Sequence, residues 1–299
     1  QNNTWIEYFK KIDYKKDGWI DFEREMEKVL RCVEKFYTLE IKKLVGKIPN
    51  MYISKEMSSI ISSFGNKVSE PFSNMYSKTI RQEDIEQAVL ESQKLALLDA
   101  IKNEMDVLNQ CLYYYLVEFV SRIKCNLYSE QVKNIKDVYL LNFNYTYTYH
   151  SIYGKHKLRQ HHPIYGELKS NDLVLGIGDD SFENLDYIYF QKYFQRIQKR
   201  TGTYYKEWIP IELETLSDSP ATVHIIGHSL DKTDIGVLDD IFNARYIDKI
   251  HIYYHNQIAY ESQVINLIEM FGKDFVINQT TEGRIEFKKL EDAIEGSAR

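Results

Sequence analysis

Between His224 and Asp234 the chain reads His-Ile-Ile-Gly-His-Ser-Leu-Asp-Lys-Thr-Asp, a short stretch that carries a glycine, two imidazoles, two hydroxyls and two carboxylates. The apolar run Val223, Ile225, Ile226 stops at Gly227, and the residues Ile235, Leu238, Ile241 and Phe242 follow at helical spacing. That pattern predicts a strand, a tight turn and a helix. At the carboxyl end of a parallel strand such a turn aims backbone N–H groups at the crevice where α/β proteins hold phosphate-bearing ligands. Gly227 would let the backbone approach a ligand closely, His228 could donate to it, and Ser229 offers a hydroxyl. Asp231 and Asp234 suit the first turn of the helix that follows.

The same letters nearly spell Gly-x-Ser-x-Gly, the nucleophile elbow of serine hydrolases. Ser229 would then be the nucleophile, Asp248 the orienting acid, and His251 or His255 the base. The elbow asks for a small residue at its fifth position, which here is Asp231, and a carboxylate beside a developing oxyanion opposes its charge. Two further clusters follow apolar runs. Asn144 and Thr146 come after Val138–Leu141, and Gly176 and Gly178, with Asp179, come after Leu173–Leu175. Asn can hold a ribose hydroxyl or a water, and glycines admit phosphate. Placed at successive strand ends, the three clusters would share one rim. His156, His161 and His162 stand close together in a basic stretch without an acidic or Cys partner at ligand spacing. They read as a solvated loop, and no metal site is expected.

The elements that must position these groups are legible as two regimes. Trp5 to Phe9 and then Gly18–Glu23 open helices whose apolar residues Phe22, Met26, Val29, Val33 and Phe36 step by four and three, before Lys47–Asn50 breaks the pattern. Met51 to Pro71 reads as short helix and loop. From about Lys78 to Tyr128, Leu98, Ile101, Met105, Leu108, Leu112, Tyr115 and Phe119 form a seam. Its partner is the first helix or, alternatively, a second copy of the chain. After Ser129 the runs shorten: 138–141, 173–175, 223–226, 250–254 and 275–277 read as strands, with a further edge strand at 284–287. Helical patterns at 182–200, 235–242 and 258–271 lie between them, which predicts βαβ units and a mostly parallel sheet.

With 299 residues, 43% apolar and 27% charged, the chain can bury a sizeable core. A net charge of −6 argues against a broad nucleic-acid footprint, and the high Tyr count reads as compositional bias rather than a base-stacking platform. No apolar stretch reaches the ~18 residues of a membrane span, and no secretory pattern opens the chain. Cys32, Cys111 and Cys125 lack metal spacing and read as reduced, mostly buried thiols of a cytoplasmic protein.

Five motifs, in order, carry a resemblance: Gly-Trp-Ile-Asp-Phe-Glu (18–23), Leu-Asn-Phe-Asn-Tyr-Thr (141–146), Leu-Val-Leu-Gly-Ile-Gly-Asp (173–179), Ile-Ile-Gly-His-Ser-Leu-Asp-Lys-Thr-Asp (225–234) and Ile-Tyr-Tyr-His (252–255). The chain resembles the AbiH family of bacterial phage abortive-infection proteins. That family is in turn similar to sirtuin-like domains of the DHS-like NAD/FAD-binding fold, where an Asn after one strand and a His-Gly after another flank the nicotinamide ribose. The resemblance implies phage defence and a cytoplasmic α/β, Rossmann-like fold. Its division would be a remnant of the α/β domain at 1–18, a helical insertion at 19–130 and a mostly parallel sheet at 131–299.

The resemblance also implies a site for NAD or a related nucleotide. Asn144 matches the catalytic Asn, and Thr146, Gly176, Gly178, Gly227, His228, Ser229, Asp231 and Asp234 would bind the ligand. Two departures shape the expectation. The family opens on an apolar strand and a Gly-Asn-Gly-Phe-Asp turn; neither precedes Trp5, and the chain begins at Gln1, so upstream residues are expected to complete the pocket. The family's His-Gly stands here as Tyr165-Gly166, and a phenol with a pKa near ~10 is a poor base at neutral pH. Either His162 substitutes, or the site binds a nucleotide without cleaving it. The competing class is a non-enzymatic module, with a phage-derived trigger or a second copy as partner.

Overall fold

Helix periodicity at the start of the chain translates directly into packing. A computed structural model describes residues 3–12, 21–44, 54–66, 82–154, 158–208 and 220–295, so Gly18–Ile20, the break at 47–50 and His156 lie outside the described residues. The chain divides into two compact units, residues 1–114 with 175–195, and residues 115–174 with 196–299.

The first unit opens on α1 (Thr4–Phe9), whose Asn3 side chain accepts from the Ile6 amide as an N-cap. It continues with α2 (Phe22–Leu44), α3 (Lys55–Gly65), capped in the same way by Ser54, and the long α4 (Gln82–Glu118), which runs past the division at residue 114. Met26, Val29 and Val33 on α2 share a buried cluster with Trp5, Phe64, Leu98, Ile101, Met105 and Leu108. The indole of Trp5 donates to the Ile101 carbonyl at 3.2 Å. This stretch of the α4 seam is therefore satisfied within the chain, whereas Tyr115 and Phe119 further along are exposed.

Residues 175–195 belong to this unit, which periodicity did not announce. Leu173–Leu175 is buried but is not a strand. The Gln195 side chain caps both the N–H and the carbonyl of Leu175, so side-chain amide atoms do here what a neighbouring strand would do. Ile177 makes an isolated bridge to Gln191, and Leu185–Phe190 is a 3-10 helix that takes up part of the expected helix at 182–200.

The second unit is α/β. In order it comprises β1 (Leu127–Tyr128), α5 (Glu130–Lys133), β2 (Val138–Asn142), α6 (Thr148–Tyr153), β3 (Leu158–Pro163), α7 (Lys192–Lys199, whose first residues belong to the other unit) and α8 (Tyr205–Trp208). Then come β4 (Ala221–Ile225), α9 (Ile235–Phe242), β5 (Ile247–Tyr254), α10 (Gln257–Phe271), α11 (Lys273–Thr281), β6 (Ile285–Lys289) and β7 (Ile294–Glu295). The sheets are small: β2 pairs parallel with β3, β4-β5-β6 are parallel throughout, and β1 pairs antiparallel with β7. Among the described residues helix outweighs strand.

Alternation sorts the β4-β5-β6 faces. Ile225, Ile250, Ile252 and Ile285 join Leu238, Phe242, Leu267 and Val276 in one core. Ile250 and Ile252 are fully buried, each worth about 1.5–3 kcal/mol. The expected edge strand at the end is β6, pairing with β5.

Three further expectations are corrected. His161 and His162 are not in a solvated loop but on β3, opposite Leu140 and Leu141. His162 is 4% exposed, against the rings of Tyr205 and Trp208. The letters Arg-Gln-His-His conceal this strand because its stabilisation comes from pairing and aromatic contact rather than aliphatic burial. Phe275–Ile277 is helical, within α11, because Gly272 at φ +81° ends α10 and the chain re-enters a helix at once. Cys111 and Cys125 are exposed and Cys32 is half-buried, all three as thiols. Among the described residues no helix is long and apolar enough to cross a membrane.

Candidate functional site

Three loops of the second unit, following β2, β3 and β4, meet around one buried carboxylate. After β2, Asn142 folds the chain back: its Nδ2 donates to the Thr146 carbonyl at 3.0 Å, and its Oδ1 accepts from the Asn144 amide at 3.0 Å. This is a self-made turn of the kind Asn favours. It leaves Asn144 exposed and turns Phe143 inward, with its ring 4.4 Å from the His228 ring and 5.9 Å from that of Tyr165.

After β3 the loop is fixed at Gly166. With φ at +79° and the Asp172 carbonyl oxygen 2.3 Å from where a Cβ would stand, this position has no room for a side chain. Tyr165 just before it is buried, and its hydroxyl donates to Asp234 Oδ1 at 2.5 Å. Val174 pins the same loop by donating to the Tyr165 carbonyl and accepting from the Tyr145 hydroxyl.

After β4, Gly227 at φ +67° turns the chain, and Leu230, fully buried at φ +58°, turns it again. Leu is strained in that region by roughly 1 kcal/mol; burial of its side chain holds it there. The imidazole of His228 is used at both nitrogens. Nδ1 accepts from the Leu230 amide at 2.8 Å, and Nε2 lies 3.2 Å from Asp234 Oδ2. A ring that accepts at Nδ1 carries its proton on Nε2, so the pair reads as Nε2–H donating to the carboxylate. Helix α10 braces the turn: Gln263 donates to the His228 carbonyl and Asn266 to that of Ser229.

Asp234 is 8% exposed, and a carboxylate so placed is costly unless hydrogen-bonded. Tyr165 and His228 supply those bonds. The resulting Tyr–Asp–His knot ties the loops of β3 and β4 together, while Phe143 brings in the loop of β2. Both His228 nitrogens and the Tyr165 hydroxyl are engaged within it. Asp231 caps the short turn before α9 by accepting from the Thr233 amide at 3.0 Å. Gly227 and Ser229 remain exposed, with nothing within 4 Å of a Cβ built on Gly227.

Thus Asn144, Thr146, Gly227, His228, Ser229, Asp231 and Asp234 occupy neighbouring loops of one unit. Gly176 and Gly178 belong to the other unit. A Cβ on Gly176 would stand 2.4 Å from the Phe190 carbonyl oxygen, so close packing requires glycine there, and the Gly178 carbonyl accepts from Ser181. The hydrolase arrangement is not assembled. Among the described residues no hydrogen bond joins the Ser229 side chain to a histidine, Asp248 is exposed at the start of β5, and His251 lies against Lys288 and Glu286. Among the described residues no group of three or more His, Cys, Asp or Glu side chains is placed to hold a metal ion.

Sequence reading passed over Phe143, Tyr147, Glu167 and Gln263. The polar pair Gln263 and Asn266, three apart and set among Val264, Ile265 and Leu267, was the available signal. Residues 1–256 match the family described as bacteriophage abortive infection AbiH. No curated protein and no solved structure matches the chain.

Proposed function

The chain belongs to the AbiH family of phage abortive-infection proteins, and we propose that it serves that defence through a nucleotide-binding site of the sirtuin-like, Rossmann-related kind, with NAD or a relative as ligand. The observation that carries this reading is the convergence of three strand-end loops, with the Phe143 ring 4.4 Å from that of His228. Strand ends of parallel sheets are where such ligands sit.

The residues fit one part of a dinucleotide better than another. Asn144 and Ser229 are exposed hydrogen-bonding groups, suited to ribose hydroxyls, and Gly227 leaves open space for close approach. For phosphates the three loops offer backbone amides and the exposed Lys232, while Asp231 and Asp234 oppose negative charge. Bound there, NAD would present a cationic ring and two ribose diols. Asn144 is the group for the nicotinamide ribose or a water beside it.

The knot argues for binding rather than turnover. The His228 ring lone pair is taken by the Leu230 amide and the Tyr165 hydroxyl donates a hydrogen bond to Asp234, so neither is poised to take a proton from water. Calorimetry on the whole chain with NAD, ADP-ribose and ATP tests the reading. Heat with NAD and ADP-ribose supports it, and no heat with any of the three ends it. Nicotinamide release from NAD, followed in parallel, separates cleavage from binding.

A second reading, a module for assembly or sensing, draws on exposed apolar side chains. At the exposed end of the expected seam Tyr115 and Phe119 stack at 5.8 Å while more than half exposed, and Ile123 follows. Such a module would give no heat with nucleotides.

A further inference from the structure

Glu167 stands directly after Gly166, in the loop that joins the knot to the rest of the rim. Its carboxylate is held by neutral donors: the Tyr147 hydroxyl on Oε2, and the Ser170 hydroxyl 3.2 Å from Oε1. Its amide donates to Asp172 Oδ1 at 2.8 Å, and the same Asp172 leaves Gly166 no room for a Cβ. The side chain is thus placed from both ends.

Charge around it is unbalanced. Among the described residues no lysine, arginine or histidine forms an ion pair with Glu167, whereas Glu23, Asp186 and Asp240 are paired with Lys192, Lys94 and Lys206. The rings beside Tyr147 are those of His150, at 5.4 Å, and His161, at 5.8 Å. Burial first, and then His150 and His162, push the His161 imidazole down to about 4, so it is neutral at pH 7 and brings no countercharge.

A carboxylate has about four acceptor positions, of which the two hydroxyls occupy two. Glu167 is only half-buried, so the remaining positions are within reach of solvent or of a ligand. Tyr147, which holds it, immediately follows the Asn144–Thr146 turn. An uncompensated carboxylate beside a row of neutral donors repels phosphate. It attracts hydroxyl hydrogens and positive charge.

We propose that Glu167 is the ligand-facing carboxylate of this site, accepting hydrogen bonds from the vicinal hydroxyls of a ribosyl group and favouring the cationic end of the ligand over its phosphates. This rests on the nucleotide reading above. It names the substrate class as ribosyl compounds bearing a positive ring, and it assigns a residue that the strand-end motifs did not contain.

Calorimetry with the whole chain tests it, using NAD and NAD whose nicotinamide-side ribose lacks both hydroxyls. Wild type is expected to bind NAD about ten- to a hundredfold more tightly than the dideoxy compound, the range of a hydrogen bond to a charged group. Glu167→Gln keeps the shape and the Tyr147 contact while removing the charge, and it is expected to erase that preference; Tyr147→Phe should reduce it in part. Thermal melts of both variants confirm folding. Wild-type binding of NAD with an undiminished preference in Glu167→Gln overturns the role of Glu167 and leaves the nucleotide reading standing. No binding by wild type overturns both.

Discussion

The hydroxyl of Tyr165 and the carboxylate of Asp234, 69 positions apart in sequence, meet at 2.5 Å inside the second unit, and His228 closes the arrangement from the other oxygen. Removing the hydroxyl in Tyr165→Phe takes one of those donors from a buried carboxylate. The expected loss is about 1–3 kcal/mol, read as a lowered urea midpoint. Asp234→Asn should cost at least as much, because its amide NH2 group would face one of the two donors while the charge is lost. The double variant should lose less than the sum, with a coupling of roughly 0.5–3 kcal/mol. Strict additivity would show that the two side chains act independently.

Two glycines with left-handed backbone make a contrast. At Gly166 a methyl group would meet the Asp172 carbonyl oxygen at 2.3 Å, whereas at Gly227 it would meet nothing within 4 Å. Both substitutions carry the conformational penalty of about 1–2 kcal/mol for an L-residue at positive φ. Gly166→Ala adds a clash with backbone and should destabilise well beyond that, while Gly227→Ala should stay near it. Equal losses in thermal unfolding would mean that the loop after β3 yields to accommodate the methyl. If the rim binds a nucleotide, Gly227→Ala is the variant that should weaken binding while sparing the fold, since it fills the open side.

The division between what the sequence disclosed and what it hid follows from where each element draws its stability. Strands β4 and β5 and helix α9 are legible because burial on one face writes a period into Val223, Ile225, Ile250 and Ile252 and into Leu238 and Phe242. Strand β3 is hidden because its letters are Arg-Gln-His-His and its partners are β2 and aromatic rings. Leu173–Leu175 was misread as a strand because apolar burial there is paired with side-chain hydrogen bonds from Gln195 and Lys199, which no local pattern announces. At the site, residue types at the β2 and β4 ends were readable as polar turns. The link of Tyr165 to Asp234 was not, since a contact across so long a separation leaves no mark on spacing. Gly176 shows the converse: a glycine that looked fit for phosphate is needed where the Phe190 carbonyl presses in.

Arg284 carries the next prediction. Its guanidinium donates from Nε to the Ile247 carbonyl at 3.0 Å, from Nη1 to Phe242 O and Gln279 Oε1, both at 2.7 Å, and from Nη2 to Ala244 O at 3.0 Å. It thereby binds the carbonyl of Phe242, the last residue of α9, together with those of Ala244 and Ile247 along the connection into β5. A lysine keeps the charge but lacks the planar fork. Arg284→Lys should therefore cost about 2–3 kcal/mol, most of the loss expected for Arg284→Ala. A charge-conserving variant with wild-type stability in denaturant would show that the fork is unimportant.

Acid should weaken the fold through its histidines. Burial and the neighbouring imidazoles of His150 and His162 push His161 from 6.5 down to about 4. His162, His224 and His251 are also lowered, in each case chiefly by burial. For each of these groups the unfolded chain takes up a proton at a pH where the folded chain still refuses it. The unfolded state thus binds more protons between about pH 6.5 and 4, so stability falls as pH drops through that window and is undiminished above it. Carboxylates such as Glu286, lowered chiefly by Lys288, act in the same direction at more acid pH and cannot be told apart in wild type. His161→Gln isolates one contribution: urea midpoints measured at intervals from pH 7 down to 4 should fall less steeply than in wild type, with the curves diverging only below about 6.5. Parallel curves across the whole range would mean that the folded chain protonates His161 as readily as the unfolded one does.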